Sequence, residues 1–294
     1  MGFEIIYYVL IFFGGTFIGS FLNLVSDRVV NGEPIFFGRS RCDSCKKPLK
    51  PKNLFPIFSF VFQKGRCSFC RKKLSWYYPI SEILSGLAFV LATYYSGILK
   101  SFSLRDFYDF VFLSVILSLL LIIFLSDLKY YLIPDAIAYL AIILSVLFAA
   151  GGYAIDLFTL HRKLSLDPVG MYLLKAGFWN TRLNIALESM EATLISAAAI
   201  ALFFFILVWA TKERGMGKGD IRLGFLIGVF NGFPGNVIAI FLGFLLGAVY
   251  SLFLIIMKKK TLKDTVPFGP FLIVGSIISL LYSSAILNWY INLF

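Results

Sequence analysis

Asp220 ends the segment GMGKGD (215–220), in which glycine alternates with other residues. Glycine reaches backbone angles that other residues avoid, and it lets a bound peptide approach closely because it has no side chain. An aspartate at a helix start can cap free N–H groups. A carboxylate beside long apolar stretches is costly, however, and such residues are usually functional. We therefore expect Gly217, Gly219 and Asp220 to form one side of a catalytic site.

Two further aspartates lie in the segment SDLKYYLIPD (126–135), where Asp127 ends one apolar stretch and Asp135 opens the next. Each aspartate taken alone fits a helix cap or an interfacial anchor. Two carboxylates within a few ångströms of each other cannot both ionise, so one accepts a proton while the other donates one. Such a pair can activate a water molecule. Together with Asp220, these residues predict aspartic peptidase chemistry.

The remaining residues exclude other common catalytic arrangements. The chain has a single histidine, His161. A Ser-His-Asp triad and a His-Glu-x-x-His zinc site are therefore absent from the sequence. The GMGKGD segment also lacks the spacing and the Lys-Ser/Thr ending of a phosphate-binding loop.

All four cysteines occur as two pairs, Cys42-x2-Cys45 and Cys67-x2-Cys70, in the near repeats RCDSCKKPL and RCSFCRKKL. This spacing is typical of a tetrahedral zinc site with four thiolate ligands, which leaves no open position and is therefore structural. Two disulfides, another metal or a redox role are the alternatives. Disulfides rarely persist in the reducing cytoplasm, where the charge pattern places this segment.

The elements that carry these residues are apolar. Of the 294 residues, 59% are hydrophobic and 15% are charged, and the mean hydropathy is +0.86. This composition predicts an all-α polytopic membrane protein, since about 20 apolar residues cross a bilayer core. We predict about eight transmembrane helices. The candidate spans are 5–24, 80–98, 107–126, 133–150, 190–210, 221–233, 237–257 and 270–292.

Cations determine the predicted orientation. The net charge is +11, and segment 26–78 carries 12 Lys and Arg residues against 3 Asp and Glu residues. The other cation-rich segments, 211–222 and 258–263, fall on the same side when there are eight spans. The positive-inside rule makes that side cytoplasmic. It carries all three candidate aspartates. We therefore expect anionic lipids, and no nucleic acid, to be the partners of these cations.

The sequence thus predicts three regions. Residues 1–25 form the first transmembrane helix, residues 26–78 form a small cytoplasmic four-Cys zinc domain, and residues 79–294 form a membrane catalytic domain of about seven helices. A long outer-face loop is predicted at 151–188, with some amphipathic character that fits an interfacial helix. Glycines four residues apart predict close helix packing; the pairs are Gly15 and Gly19, Gly224 and Gly228, and Gly243 and Gly247.

Several motifs occur together and in order, and their combination is specific. In them the sequence resembles the bacterial type IV prepilin peptidases, a family of aspartic membrane proteases. The resemblance covers nearly the whole chain. Its motifs are GSFLNLVSDR (19–28), the paired Cys-x2-Cys turns, SDLKYYLIPD (126–135), GMGKGD (215–220) and PFGP (267–270).

The resemblance implies roles for the matching residues. The first catalytic aspartate of the family matches Asp127, the second matches Asp220, and Asp135 matches an accompanying residue with a supporting role. Family members remove the basic leader of prepilins and pseudopilins at the cytoplasmic face of the bacterial inner membrane. They then methylate the new N-terminus with S-adenosylmethionine. The methyl donor rests on the resemblance alone, because no Gly-x-Gly-x-x-Gly fingerprint is present.

The main alternative is a proton-coupled membrane transporter in which Asp127 and Asp220 form a proton relay. Transporters often show internal repeats and broken helices at the middle of the membrane. The two halves of this sequence show no evident repetition, and the acidic residues lie at the ends of the spans. These features favour the protease.

Overall fold

The computed structural model describes residues 2–35, 37–42, 44–213, 215–261 and 264–293. The described residues form helices and two isolated bridges, with no strand among them. The predicted all-α class is therefore confirmed. The α-helices are α1 (Gly2–Asn31), α2 (Phe58–Phe62), α3 (Tyr77–Ser96), α4 (Ile98–Ser101), α5 (Leu104–Tyr130), α6 (Asp135–Leu166), α7 (Pro168–Lys175), α8 (Phe178–Thr211), α9 (Lys218–Asn231), α10 (Gly235–Ile256) and α11 (Gly269–Ile291).

Each predicted span coincides with one of the longer helices. Among the described residues, six helices are long and apolar enough to cross a membrane, namely α1, α5, α6, α8, α10 and α11. The other two predicted spans are α3 and α9. Helix α9 has 14 residues, which at 1.5 Å per residue gives about 21 Å, less than the roughly 30 Å of a bilayer core. The chain is a multi-pass membrane protein, and eight is an approximate count.

The segment 151–188, predicted to join two spans and to have amphipathic character, is mostly helical. Helix α6 continues to Leu166 and α8 begins at Phe178, with α7 between them. Proline is absent from 135–167, so nothing in that stretch stops α6. Asp167 then caps α7, its side chain accepting from the Gly170 N–H at 3.1 Å.

The chain divides into two compact units, Met1–Pro134 and Asp135–Phe294. In the first unit, α1, α3 and α5 pack against one another. In the second unit, α9 contacts α6, α8, α10 and α11, and α10 packs along α11. Helix α9, which carries Asp220, is thus surrounded by other helices of its own unit.

The small residues predicted to pack closely do so at three helix pairs. A Cβ added at Gly19 would lie 2.6 Å from the Ser85 Cβ, and one added at Gly228 would lie 2.6 Å from the Ala197 Cα. At Gly243 the added atom would lie 2.7 Å from a Leu272 methyl carbon. Contacts under 3.0 Å force a shift, so these glycines set the approach of α1 to α3, of α9 to α8 and of α10 to α11.

Candidate active site and metal centre

Asp220 is held at the start of α9. Gly217 is the residue before the helix, and its N–H donates to the Asp220 Oδ2 at 3.0 Å. Asp220 is only 8% exposed. The φ of Gly217 is −88°, which any residue adopts, so the glycine does not supply an unusual backbone angle there. Its exposed position instead leaves the peptide beside the carboxylate uncovered.

Asp135 opens α6 and forms an ion pair with Arg222, two residues after Asp220. The Arg222 guanidinium carbon also lies 5.2 Å from the centre of the Tyr139 ring. The Asp135 side chain is 64% exposed. Its contacts therefore fit a supporting residue that ties α6 to α9. Arg222 was not predicted to be a site residue. Its position in the same helix, two residues after Asp220, was the feature of the sequence that could have indicated it.

Asp127 lies near the end of α5 and is 6% exposed. The helix ends because Tyr131 takes a left-handed conformation (φ 55°), and the Tyr131 N–H donates to the Asp127 carbonyl at 3.0 Å. Ser126 fixes the chain beyond the end by donating its hydroxyl to the Leu132 carbonyl at 2.5 Å. The backbone on both sides of Asp127 is thereby fixed.

Polar contacts near Asp127 join the helices of the first unit. The Asp27 carboxylate, at the end of α1, accepts from Lys129 Nζ at 2.8 Å and from the Tyr130 hydroxyl at 2.9 Å. The Lys129 Nζ also lies 5.4 Å from the centre of the Tyr77 ring on α3. Asp27 belongs to the GSFLNLVSDR segment and was not predicted to take part in these contacts. An acidic residue in so apolar a segment was the feature of the sequence that could have indicated it.

Arg28, the next residue, organises the chain that leaves α1. It is only 6% exposed. Its guanidinium donates, at 2.8 to 3.1 Å, to the backbone carbonyls of Pro34, Ile35, Phe37 and Gly38. The GSFLNLVSDR segment therefore ends in two residues that hold the first unit together at one end of α1.

Asp127 belongs to the first unit and Asp220 to the second. Each is buried at the end of a helix in its own unit, although aspartate is rarely fully buried. A carboxylate in such a place is a candidate for proton transfer in a reaction. The catalytic assignment of this pair stays a prediction.

The four cysteines come together in the first unit. Their Sγ atoms all lie within 4.8 Å of one another. Zinc bound tetrahedrally at about 2.3 Å places its sulfur ligands about 3.8 Å apart. The four thiols are free rather than paired in disulfides. The donor set and its spacing therefore fit one four-coordinate metal ion.

The two cysteine turns repeat one backbone pattern. The N–H of Cys42 donates to the Lys47 carbonyl at 3.0 Å, and 25 residues later the N–H of Cys67 donates to the Lys72 carbonyl at 2.9 Å. The residue after the second cysteine has positive φ in both turns, 55° at Lys46 and 61° at Arg71. The near repeat in sequence is thus a repeat in structure, and the turns aim both pairs at one point.

Backbone donors stabilise the thiolate form of Cys67, one of the four cysteines. The Phe69 N–H donates to the Cys67 Sγ at 3.4 Å. The N–H groups of Cys70 and Phe69 lower the pKa of the Cys67 thiol to about 7. Deprotonated sulfur is the form that binds metal.

The second unit contains a cavity that is close in sequence to Asp220. It has a volume of about 510 Å³ and begins at Gly215 and Met216. The rings of Phe244 and Phe268, 4.9 Å apart, form part of its wall. Its other side chains include Lys260 and Asp264. Aromatic faces beside one acid and one base, in a cavity of this volume, fit a site for a small molecule.

Comparisons with known proteins cover both units. Residues 13–96, which include the four cysteines, match the family described as the Bacterial Peptidase A24 N-terminal domain. Residues 114–252, which include Asp127 and Asp220, match the Type IV leader peptidase family. No solved structure matches the chain significantly.

Relatives align along almost the full chain. A prepilin leader peptidase/N-methyltransferase of Bacillus subtilis is 31% identical over 284 residues, covering 97% of this chain and 98% of the relative. Proteins of the same name from Aeromonas salmonicida (25% identical, 98% of this chain, 94% of the relative) and Legionella pneumophila (26% identical, 88% of this chain, 77% of the relative) are also similar. These names give no support to the transporter alternative.

Proposed function

Since this chain belongs to the type IV leader peptidase family, we propose that it is a membrane-embedded aspartic endopeptidase that removes the leader of type IV prepilins and pseudopilins and then methylates the new N-terminus. The observation that carries the proposal is that Asp127 and Asp220 are both buried at helix ends and both lie within residues 114–252, the part of the chain that matches the family. We assign these two residues as the catalytic carboxylates.

The chemistry is that of two carboxylates sharing one proton. The ionised aspartate takes a proton from a water molecule as that water attacks the scissile carbonyl. The protonated aspartate donates its proton to the carbonyl oxygen. The roles exchange when the tetrahedral intermediate collapses and the amine leaves, so each group serves as acid and base in turn. Asp135 supports the site through Arg222, which holds the first turn of α9.

The substrate is a helix with an apolar body and a basic leader at one end. Its body shares the bilayer with the enzyme, and the junction reaches the carboxylates at the cytoplasmic face of the inner membrane. That orientation follows from the cations of 26–78, 211–222 and 258–263. Anionic lipids of the same leaflet neutralise those cations, each worth about 1 kcal/mol near the surface.

Zinc is the metal we assign to the cysteine centre. Four thiolates fill its coordination, so the ion holds the fold and takes no part in hydrolysis. A domain of this size has a thin core and depends on such a crosslink.

We predict that purified enzyme, incubated in detergent with a synthetic prepilin and S-adenosylmethionine, converts the substrate in two steps. Mass spectrometry should show loss of the leader and then a gain of one methyl group on the new amine. Omitting S-adenosylmethionine should leave only the first step. An intact prepilin after incubation with folded enzyme would contradict the proposal.

The cavity beside Gly215 is our candidate binding site for S-adenosylmethionine. When bound, the donor supplies an activated methyl group, and this chain supplies the pocket that orients it. The ring faces of Phe244 and Phe268 would stack on the adenine, and Lys260 would bind the carboxylate of the amino acid. Asp264 is suited to the ribose hydroxyls because its carboxylate is a hydrogen-bond acceptor. The Thr261 N–H lowers the pKa of this carboxyl below its ordinary value.

Asp264→Asn should therefore separate the two activities. We expect leader removal to continue at its normal rate and the methylated fraction to fall about tenfold or more, since a hydrogen bond to a charged group is worth about 1.5–3 kcal/mol. Equilibrium dialysis with labelled S-adenosylmethionine should show weaker binding to the same extent. Asp156→Asn, an exposed aspartate on α6, is the matched control. If Asp264→Asn bound S-adenosylmethionine with normal affinity, the assignment of this cavity as the donor-binding site would be refuted.

A further inference from the structure

An apolar run interrupts the cysteine region between α1 and α3. It reads LFPIFSFVF, nine residues (54–62) without a charge. Lys52 precedes it and Lys64 follows it. The charge pattern predicts that all of 26–78 lies in the cytoplasm, where so apolar a run has no evident use.

The run forms a short hairpin. Phe58 donates its N–H to the Pro56 carbonyl at 2.5 Å, which closes a tight turn at Ile57. Ile57 has φ 60° and ψ −54°, and a β-branched residue takes positive φ only under strain. Helix α2 follows at once, and Gly65 (φ 64°) turns the chain back. The apolar residues therefore lie at the tip and the charged ones at the base.

Ring contacts with α1 show how far the hairpin reaches. Helix α1 has no charged residue between Glu4 and Asp27. The Phe55 ring lies 5.0 Å from that of Phe17, and the Phe58 ring lies 6.0 Å from that of Phe13. Phe17 and Phe13 lie ten and fourteen residues before Asp27, which at 1.5 Å per residue is about 15 and 21 Å along the helix. Both rings are well inside the stretch of α1 that crosses the apolar core.

A hydrogen bond to α3 places the turn of the hairpin at a similar depth in the membrane. The Ile57 N–H donates to the Glu82 Oε2 at 2.7 Å. Glu82 is level with Gly19, because a Cβ added at Gly19 would lie 3.0 Å from the Glu82 Cα. Gly19 is eight residues, or about 12 Å, before Asp27. The turn at Ile57 is thus anchored below the charged end of α1, by a carboxylate that is itself buried.

The outer side of the hairpin is uncovered by protein. Phe62 is 81% exposed, Val61 is 64% exposed and Phe55 is 49% exposed. In water this would be an unfavourable aromatic surface. At the depth set by Phe13 and Phe17, the surrounding medium is hydrocarbon.

We infer that residues 54–62 form a re-entrant membrane segment, with Phe55, Val61 and Phe62 in contact with lipid acyl chains. The cations at its base lie where headgroup phosphates are, and their long side chains can reach them. The segment anchors the cysteine region to the bilayer beside α1. It thereby sets the distance between the cysteine region and the membrane surface. The inference rests on α1 as a spanning helix and is independent of the assigned activity.

Quenching of a tryptophan placed on the hairpin tests this. Full-length, zinc-loaded Phe62→Trp protein is reconstituted in vesicles containing lipids brominated in the acyl chain, and the emission of the unmodified protein is subtracted. Phe37→Trp is the matched control. Phe37 is 79% exposed, and Arg28 holds its carbonyl beyond the charged end of α1. Either replacement at so exposed a side chain should leave the fold intact.

We expect the added emission at position 62 to be quenched several-fold more strongly by brominated lipid than that at position 37, and several-fold less by iodide in the water. Equal iodide quenching at both positions would overturn the inference. So would protection of position 62 from both quenchers, which would mean that another protein surface, such as a second copy of the chain, covers the hairpin.

Discussion

Asp127→Asn and Asp220→Asn should each lower the rate of leader cleavage by at least about 10³-fold. Asparagine has almost the same shape as aspartate but can neither accept the proton of the attacking water nor donate one to the carbonyl. Because catalysis needs one group of each kind, losing either carboxylate removes the pair, and the double variant should be no slower than the single variants. Rates are measured by mass spectrometry on purified protein with a synthetic prepilin.

Controls separate this loss from damage to the fold. Asp109→Asn lies on the same helix as Asp127, and Glu213→Gln lies in the loop that precedes α9, the helix of Asp220; both should retain normal rates. Both side chains lie in ion pairs that do not include the assigned carboxylates, Asp109 with Arg105 and Glu213 with Lys218. The thermal unfolding of all four variants should resemble that of the unmodified protein. Full cleavage by either Asp127→Asn or Asp220→Asn would refute the catalytic pair.

Asp135→Asn should have a cleavage rate between those of the catalytic variants and those of the controls. Its carboxylate is mostly exposed and pairs with Arg222, and exposed ion pairs are worth about 1 kcal/mol or less. The cleavage rate should therefore fall no more than about fivefold, in keeping with a residue that supports α9 without touching the water. A loss as large as that of Asp220→Asn would instead place Asp135 in the catalytic pair.

Features with a local cause could be predicted from the sequence. The spans follow from apolar length. The clustering of the four cysteines follows from two Cys-x2-Cys turns, each of which is closed by hydrogen bonds within a few residues, such as Cys42 to Lys47. The glycines of α1, α9 and α10 could also be interpreted correctly, because a missing side chain in a membrane helix has few uses besides close packing.

Features that depend on distant partners could not be predicted. Asp135 and Arg222 are 87 residues apart, and Asp27 and Lys129 are 102 residues apart. Nothing in the local pattern shows that each acid has a cation beside it. The apolar hairpin was missed for a related reason, since nine residues are too few to cross a bilayer and their depth is set by rings on α1.

The segment 151–188 shows a third kind of limit. Its mixture of charged and apolar residues interrupts the continuous apolar length that predicts a membrane span. Helix formation needs no such continuity, and α6 runs on past the predicted end of its span to Leu166. Length of an apolar stretch locates where a helix meets the bilayer, whereas proline, glycine and caps such as Asp167 locate where it ends.

Cys42→Ser should cost the protein its bound metal, which we expect at about one zinc ion per chain in the unmodified enzyme. A structural zinc site contributes about 10–16 kcal/mol to the folding of a small domain. Serine is a far poorer ligand than thiolate, so most of that free energy is lost and the cysteine region unfolds. Zinc is measured by atomic emission on the purified protein, and unfolding is measured as new protease cleavage within 26–78.

The structural repeat of the two cysteine turns adds a second variant that must behave in the same way. Because Cys67 holds the same place in the second turn as Cys42 in the first, Cys67→Ser must lose zinc to the same extent. Ser44→Ala, inside the first turn but without a ligand atom, should keep the metal and resist protease. If Cys42→Ser protein retained a full equivalent of zinc, or if active unmodified protein contained none, the four-thiolate centre would be refuted. The closeness of the sulfur atoms would then need another cause, and the repeated turns would stabilise the region by their backbone hydrogen bonds alone.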